Sequence, residues 1–134
     1  MASETGDRRP ATGSGQLRIG ADIARRLLAF GVGALKLAPL LPRDLGARHV
    51  SVQWIRSATG AGANYEEARA AESRADFVHK AGIAAKEMRE ACYWIELIQC
   101  AGLARGEVAP LVLEARELAA ILGASVRTAR SRTG

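Results

Sequence analysis

Over four stretches of this chain, apolar residues return at alternating intervals of four and three, and short segments carrying Gly, Pro and charge separate them. The longest stretch is Ser73–Ala101. There Phe77, Ala81, Ala84, Met88, Ala91, Ile95 and Ile98 line one face of a helix that needs partner helices to cover it. Ser73, three residues before Asp76, predicts a capping box with Asp in place of the usual Glu, and Gly102 predicts the C-terminal cap. Upstream, Ile23, Leu27, Phe30, Ala34, Leu37 and Leu41 predict a first helix from Leu17 or Asp22 to Leu40, ended by Pro39 and Pro42. Gly31 and Gly33 within it cost roughly 1 kcal/mol each in helix propensity, a cost that close approach of a neighbouring helix offsets.

A second helix, capped by Asp44, carries a weaker inner stripe of Leu45, Val52, Ile55, Thr59 and Gly62. Its run of small residues, Ser57 to Asn64, sets propensity against periodicity, and the periodicity predicts continuation towards Glu67. The fourth helix starts near Gly106 with Pro110 in its first turn. Its stripe is Val108, Leu111, Ala115, Leu118, Leu122 and Ser125.

Four amphipathic helices joined by short connections predict an all-α fold, an antiparallel up-down-up-down four-helix bundle. Residues 17–132 make up the bundle domain. Residues 1–16 are Ser, Thr, Gly and mutually cancelling charges, which predicts a disordered N-terminal tail. The most apolar run, Leu27 to Leu41, contains Lys36 and is too short for a membrane span. Arg8-Arg9 is followed by Pro10 and polar residues, not by the apolar core of an export signal. Cys92 and Cys100 stand roughly 12 Å apart along one helix, beyond disulfide reach, and read as reduced apolar residues. A cytoplasmic location is expected.

Particular strings carry a resemblance. They are Leu41-Pro42, Ile55-Arg56-Ser57-Ala58, and Gly62-Ala63-Asn64-Tyr65-Glu66-Glu67-Ala68. Two more follow: Ser73-Arg74-Ala75-Asp76-Phe77-Val78-His79-Lys80 and Lys86-Glu87-Met88-Arg89-Glu90-Ala91-Cys92-Tyr93-Trp94-Ile95. From Leu41 to Leu122 the chain resembles the four helix bundle protein family, whose named members are encoded by intervening sequences of bacterial 23S ribosomal RNA genes. The first helix matches only in pattern. The resemblance implies assembly into a ring-shaped homo-oligomer, a homopentamer. It also implies kinship with the accessory protein of diversity-generating retroelements, a basic pentamer that binds a reverse transcriptase and nucleic acid.

Charge narrows the chemistry. The chain carries +5, which permits nucleic acid or an acidic partner as ligand. Tyr65–Gly102 holds seven acids against five bases, so the third helix is the acidic element and the excess positive charge lies on the other three. The expected nucleic-acid-binding residues, for RNA or DNA, are Arg25, Arg26, Arg48, Arg56, Arg127 and Arg130. In a ring their patches would be repeated, and avidity would add to each. Trp54, Tyr93, Trp94 and Leu97 flank the helical seams and are the expected oligomer interface.

Enzymatic readings fare worse. Asp76-x-x-His79 has the spacing of a di-iron ligand pair, but a site would need a second such pair, and His49 has no carboxylate at that offset. Gly60-Ala61-Gly62 lacks the Lys-Ser/Thr of a phosphate loop. No Ser, Cys, His and acid set converges. No catalytic residue, metal or cofactor is expected. The leading reading is a non-enzymatic binding or scaffold module for nucleic acid, and the alternative is a protein-binding adaptor, for example for a reverse transcriptase.

Overall fold

The computed structural model describes residues 3–133, and among them the fold is all-α. Four helices, α1 (Ser3–Leu37), α2 (Leu45–Arg69), α3 (Arg74–Ala101) and α4 (Ala109–Thr133), are joined by short connections, and a 3₁₀ turn (Ala38–Leu40) follows α1. No strand occurs among the described residues.

The expected caps set the boundaries. The Asp44 carboxylate accepts from the Ala47 N–H at 3.0 Å and opens α2. The Ser73 hydroxyl accepts from the Asp76 N–H at 3.0 Å and opens α3. Gly102, at φ 61°, takes the left-handed conformation that ends α3. Its N–H donates to the Gln99 carbonyl at 3.1 Å, and the next N–H, of Leu103, reaches the Ile98 carbonyl at 3.1 Å. Pro39 falls inside the 3₁₀ turn, so α1 stops at Leu37, short of the expected Leu40.

At its other end α1 departs further from expectation. The backbone is helical from Ser3, not from Leu17 or Asp22, so the segment expected as a disordered tail overlaps helix; Met1 and Ala2 lie outside the described residues. Among the residues of α1 whose burial is described, Ile23 is the first in the core. Once that packed segment has nucleated a helix, each further residue adds a local hydrogen bond, and composition alone does not register this.

The stripe expected on α3 is buried from Ala81 to Ile98, and Phe77 packs half-buried beside Ala68, Ala81 and Val126 at one end of the bundle. On α4 the buried positions are Val112, Ala115, Leu118, Leu122, Val126 and Ala129, with Val108 and Leu111 half-buried against them. On α2 the expected inner stripe is rotated outwards: Ile55, Thr59 and Gly62 are half-buried, Ile55 against the core, but the stripe's other two residues are exposed. Leu45 is 88% exposed and Val52 61%, while Ala47, Val50, Trp54, Ser57, Ala58, Ala61, Tyr65 and Ala68 face the core. Most of those inner residues are small, so they contribute little to an apolar pattern yet permit close packing.

The small-residue run serves both neighbours of α2. A Cβ on Gly62 would lie 3.5 Å from Leu27 of α1, and one on Gly60 would meet the Glu87 carboxylate of α3 at 2.5 Å. Gly31 faces Thr59, and a Cβ on Gly33 would lie 3.0 Å from Leu111 of α4, which accounts for these two glycines of α1. Ion pairs tie the helices along their lengths: Arg56 to Glu87 and Lys80 to Glu67 join α2 and α3, Arg116 to Glu96 joins α3 and α4, and Arg26 to Glu114 joins α1 and α4.

Candidate nucleic-acid interface

An open groove of about 750 Å³ runs between α3 and α4. Lys86 and Arg89 edge it from α3 and Arg127 and Arg130 from α4, with His79 towards one end. No carboxylate lines it among the described residues. The sequence builds it by a shared period. Gly82, Lys86 and Arg89 recur at four and three on α3, as Gly123, Arg127 and Arg130 do on α4, so each helix presents a glycine followed by two cations on one face. The two groove arginines of α4 are exposed and reach over the groove's glycines. The Arg127 guanidinium is 3.3 Å from where a Cβ on Gly123 would sit, and that of Arg130 is 4.0 Å from the equivalent point on Gly82, across the groove.

The six arginines expected to bind nucleic acid do not form one patch. Arg25 is paired with Asp22 on its own helix. Arg26 donates to both oxygens of Glu114 at 2.8 and 3.0 Å and to Glu117 at 2.9 Å, contacts that raise its pKa, Glu114 most. Arg56 is held by Glu90 and by Glu87 at 3.3 Å. Arg48 is exposed on α2. Arg127 and Arg130 alone are brought together, and their companions, Lys86 and Arg89, come from the helix whose net charge argued against it. That net charge averages over faces: Glu87 and Glu90 turn to α2 and Glu96 to Arg116, leaving the groove side of α3 basic. The four-and-three spacing of Lys86 and Arg89 after Gly82 was the available signal.

Arg56 instead anchors a network that crosses from α2 to α3. It pairs with Glu87 and Glu90, and the Trp94 indole N–H donates to Glu90 at 2.9 Å. Trp94 meets Tyr93 edge-on at 4.9 Å and His49 of α2 at 5.8 Å. The residues that carry the sequence resemblance, Arg56 and the Lys86–Ile95 string, are thus joined across the α2–α3 contact. Of the expected oligomer-interface residues, Trp54 needs correction: it is 0% exposed in the core, edge-on to Phe30, and has no surface to offer a second subunit. Leu97 and Trp94 are half-buried against the core, whereas Tyr93 stays 58% exposed.

The network has a pH signature. Glu90 is held below the usual carboxylate range, first by the Trp94 N–H and then by Arg56. A carboxylate whose pKa falls on folding contributes stability above its unfolded value, and that contribution is lost as pH drops through the folded one. Trp94→Phe removes the larger cause. The gap in urea midpoint between wild type and variant is therefore expected to be widest above the titration of an unfolded glutamate, about pH 4.3, and to narrow as the pH falls below it. A gap independent of pH would show that Trp94 acts by packing alone.

Among the described residues no group of three or more His, Cys, Asp or Glu is placed to hold a metal ion. Cys92, half-buried, and Cys100, exposed, are free thiols, and burial pushes the Cys92 thiol pKa up. No helix among the described residues is long and apolar enough to cross a membrane.

Residues 26–124 match the model of the 23S rRNA-intervening sequence protein family. The chain belongs to this family. The match begins inside α1, so it takes in the last third of the helix that resembled the family only in pattern. A solved structure of a protein of unknown function from the S23 ribosomal protein family of Bacteroides thetaiotaomicron is 31% identical. It covers 81% of this chain and 97% of its own length, with a TM-score of 0.70. No curated protein matches the chain.

Proposed function

We propose that this protein is a non-enzymatic, cytoplasmic, homo-oligomeric helical bundle that binds nucleic acid through a basic groove repeated on each subunit. The observation that carries the reading is the α3–α4 groove, with Lys86, Arg89, Arg127 and Arg130 along it and no lining carboxylate among the described residues. The up-down-up-down antiparallel order is supported by the α2–α3 ion pairs, in which rising residue numbers on α2 meet falling numbers on α3, and from α3 to α4 by Glu96 with Arg116 and Gly82 beside Arg130.

Self-association, with the homopentameric ring as its expected form, has its own support. Leu28, Val32 and Leu35 recur on the solvent side of α1, opposite its core stripe, and Leu45 and Val52 are exposed on α2. An exposed apolar stripe of this kind fits a subunit contact better than the seam of α3 does. A protein-binding adaptor, with a reverse transcriptase as one partner, would use the same surface.

Titrating labelled RNA and DNA with the full chain at two salt concentrations tests the ligand, and light scattering tests the assembly. Binding at low salt that weakens as salt rises is expected, from a particle of several subunits. Absence of binding at low salt, or binding indifferent to salt, would refute the groove reading. A monomeric mass would refute the ring.

A further inference from the structure

The groove has an aromatic continuation that its charge does not explain. Lys86, Arg89 and Tyr93 stand at i, i+3 and i+7, so they share one face of α3, and Tyr93 lies one turn beyond Arg89, the last α3 residue to line the groove. The ring is 58% exposed, in a chain with only two tyrosines, two tryptophans and two phenylalanines. It is also held in place. Trp94 meets it edge-on at 4.9 Å and 76°, and Trp94 is fixed in turn by its indole N–H on Glu90 at 2.9 Å. Glu90 is tied to Arg56 on the neighbouring helix. An exposed aromatic ring whose support is anchored to two helices loses little freedom when a flat partner settles on it.

We infer that Tyr93 is a stacking platform for a base of single-stranded nucleic acid whose phosphates lie in the α3–α4 groove. Phosphates suit the groove for reasons already given, and this inference rests on that reading. A base face suits Tyr93 because stacking accepts any base and needs only an exposed π-surface beside a cationic track. A duplex cannot use this arrangement, because its bases are stacked on each other and show only their edges in the grooves. The site therefore selects strandedness rather than sequence, and RNA and DNA single strands share the chemistry it reads.

Fluorescence anisotropy on the full chain at low salt decides the matter, with labelled oligouridylate and oligothymidylate of about 12 nucleotides and a duplex of the same length. The single strands are expected to bind more tightly than the duplex. Tyr93→Ala should weaken single-strand binding roughly 5- to 100-fold, with duplex binding and the salt dependence unchanged, because no phosphate contact is lost. Tyr93→Phe, which keeps the ring, should bind like wild type, and circular dichroism should show both variants as helical as wild type. If Tyr93→Ala binds single strands as wild type does, if Tyr93→Phe is as weak as Tyr93→Ala, or if the duplex binds equally well, the platform is refuted while the basic groove stands. If wild type binds no nucleic acid at all, both readings fall.

Discussion

Trp54→Ala is expected to lower the unfolding free energy by about 3–5 kcal/mol, the largest single-residue effect foreseen in this chain. The magnitude follows from what surrounds it. Trp54 is fully buried and meets the Phe30 ring edge-on at 5.4 Å and 77°, a contact that joins α1 to α2. The rest of the inner face of α2 is dominated by Ala and Ser, so the helix has few other large side chains to close over the void. Trp54→Phe should cost under about 2 kcal/mol. It restores most of the ring, and the indole N–H it removes is buried without a hydrogen-bond partner among the described residues, so no polar contact is forfeited. Urea denaturation of the two variants separates the cases. Equal losses for Ala and Phe would show that the indole N–H matters, and a loss under about 1 kcal/mol for Ala would show that the core collapses around the gap.

Trp54 also marks where the sequence was hard to read. Its periodic position is as regular as that of Met88 or Ile95, but its neighbours at helical spacing are Ala47, Ser57, Ala58 and Ala61, which hydropathy weighs lightly. Leu45 and Val52 supplied a stronger apolar signal on another face, and that signal reported the outer surface of the bundle rather than its inside. Where large residues and the core coincide, as on α1 and α3, the stripes were legible almost to the residue, whereas on α4 only Ala115, Leu118 and Leu122 of the expected stripe are buried and Val112, Val126 and Ala129 were missed. Caps were legible for a different reason: Asp44, Ser73 and Gly102 act through local backbone geometry that needs no knowledge of the partner helix. The start of α1 was not, because nothing in its composition distinguishes a chain end from a prolonged helix.

The binding residues were half legible, and the reason is electrostatic. Counting charge per helix cannot tell Arg127, which lies in a groove with no lining carboxylate among the described residues, from Arg26, which Glu114 and Glu117 already neutralise. Both glutamates stand on α4, far from Arg26 in sequence, and only the packing of α1 against α4 brings them to it. Arg56 is matched by Glu87 and Glu90 in the same way. A cation's capacity to hold phosphate depends on which faces meet, and that is a property of the fold.

Neutralising the groove is expected to have the largest effect on binding. The combined replacement of Lys86, Arg89, Arg127 and Arg130 by Gln removes the cations that line it while leaving side-chain length nearly intact. If each holds one phosphate of a single strand, the wild-type affinity falls with a log–log salt slope of about −2.8, or about 50-fold between 50 and 200 mM salt. The combined variant should lose that slope together with nearly all low-salt binding, and each single replacement should reduce the slope by about 0.7. Arg26→Gln and Arg56→Gln are the controls. Their guanidiniums are already engaged by carboxylates, so they should leave the slope unchanged and act on stability, if at all. A variant with all four groove cations replaced that keeps the wild-type slope would move the phosphate contacts to another surface, with Arg48 and the solvent side of α1 the next to test.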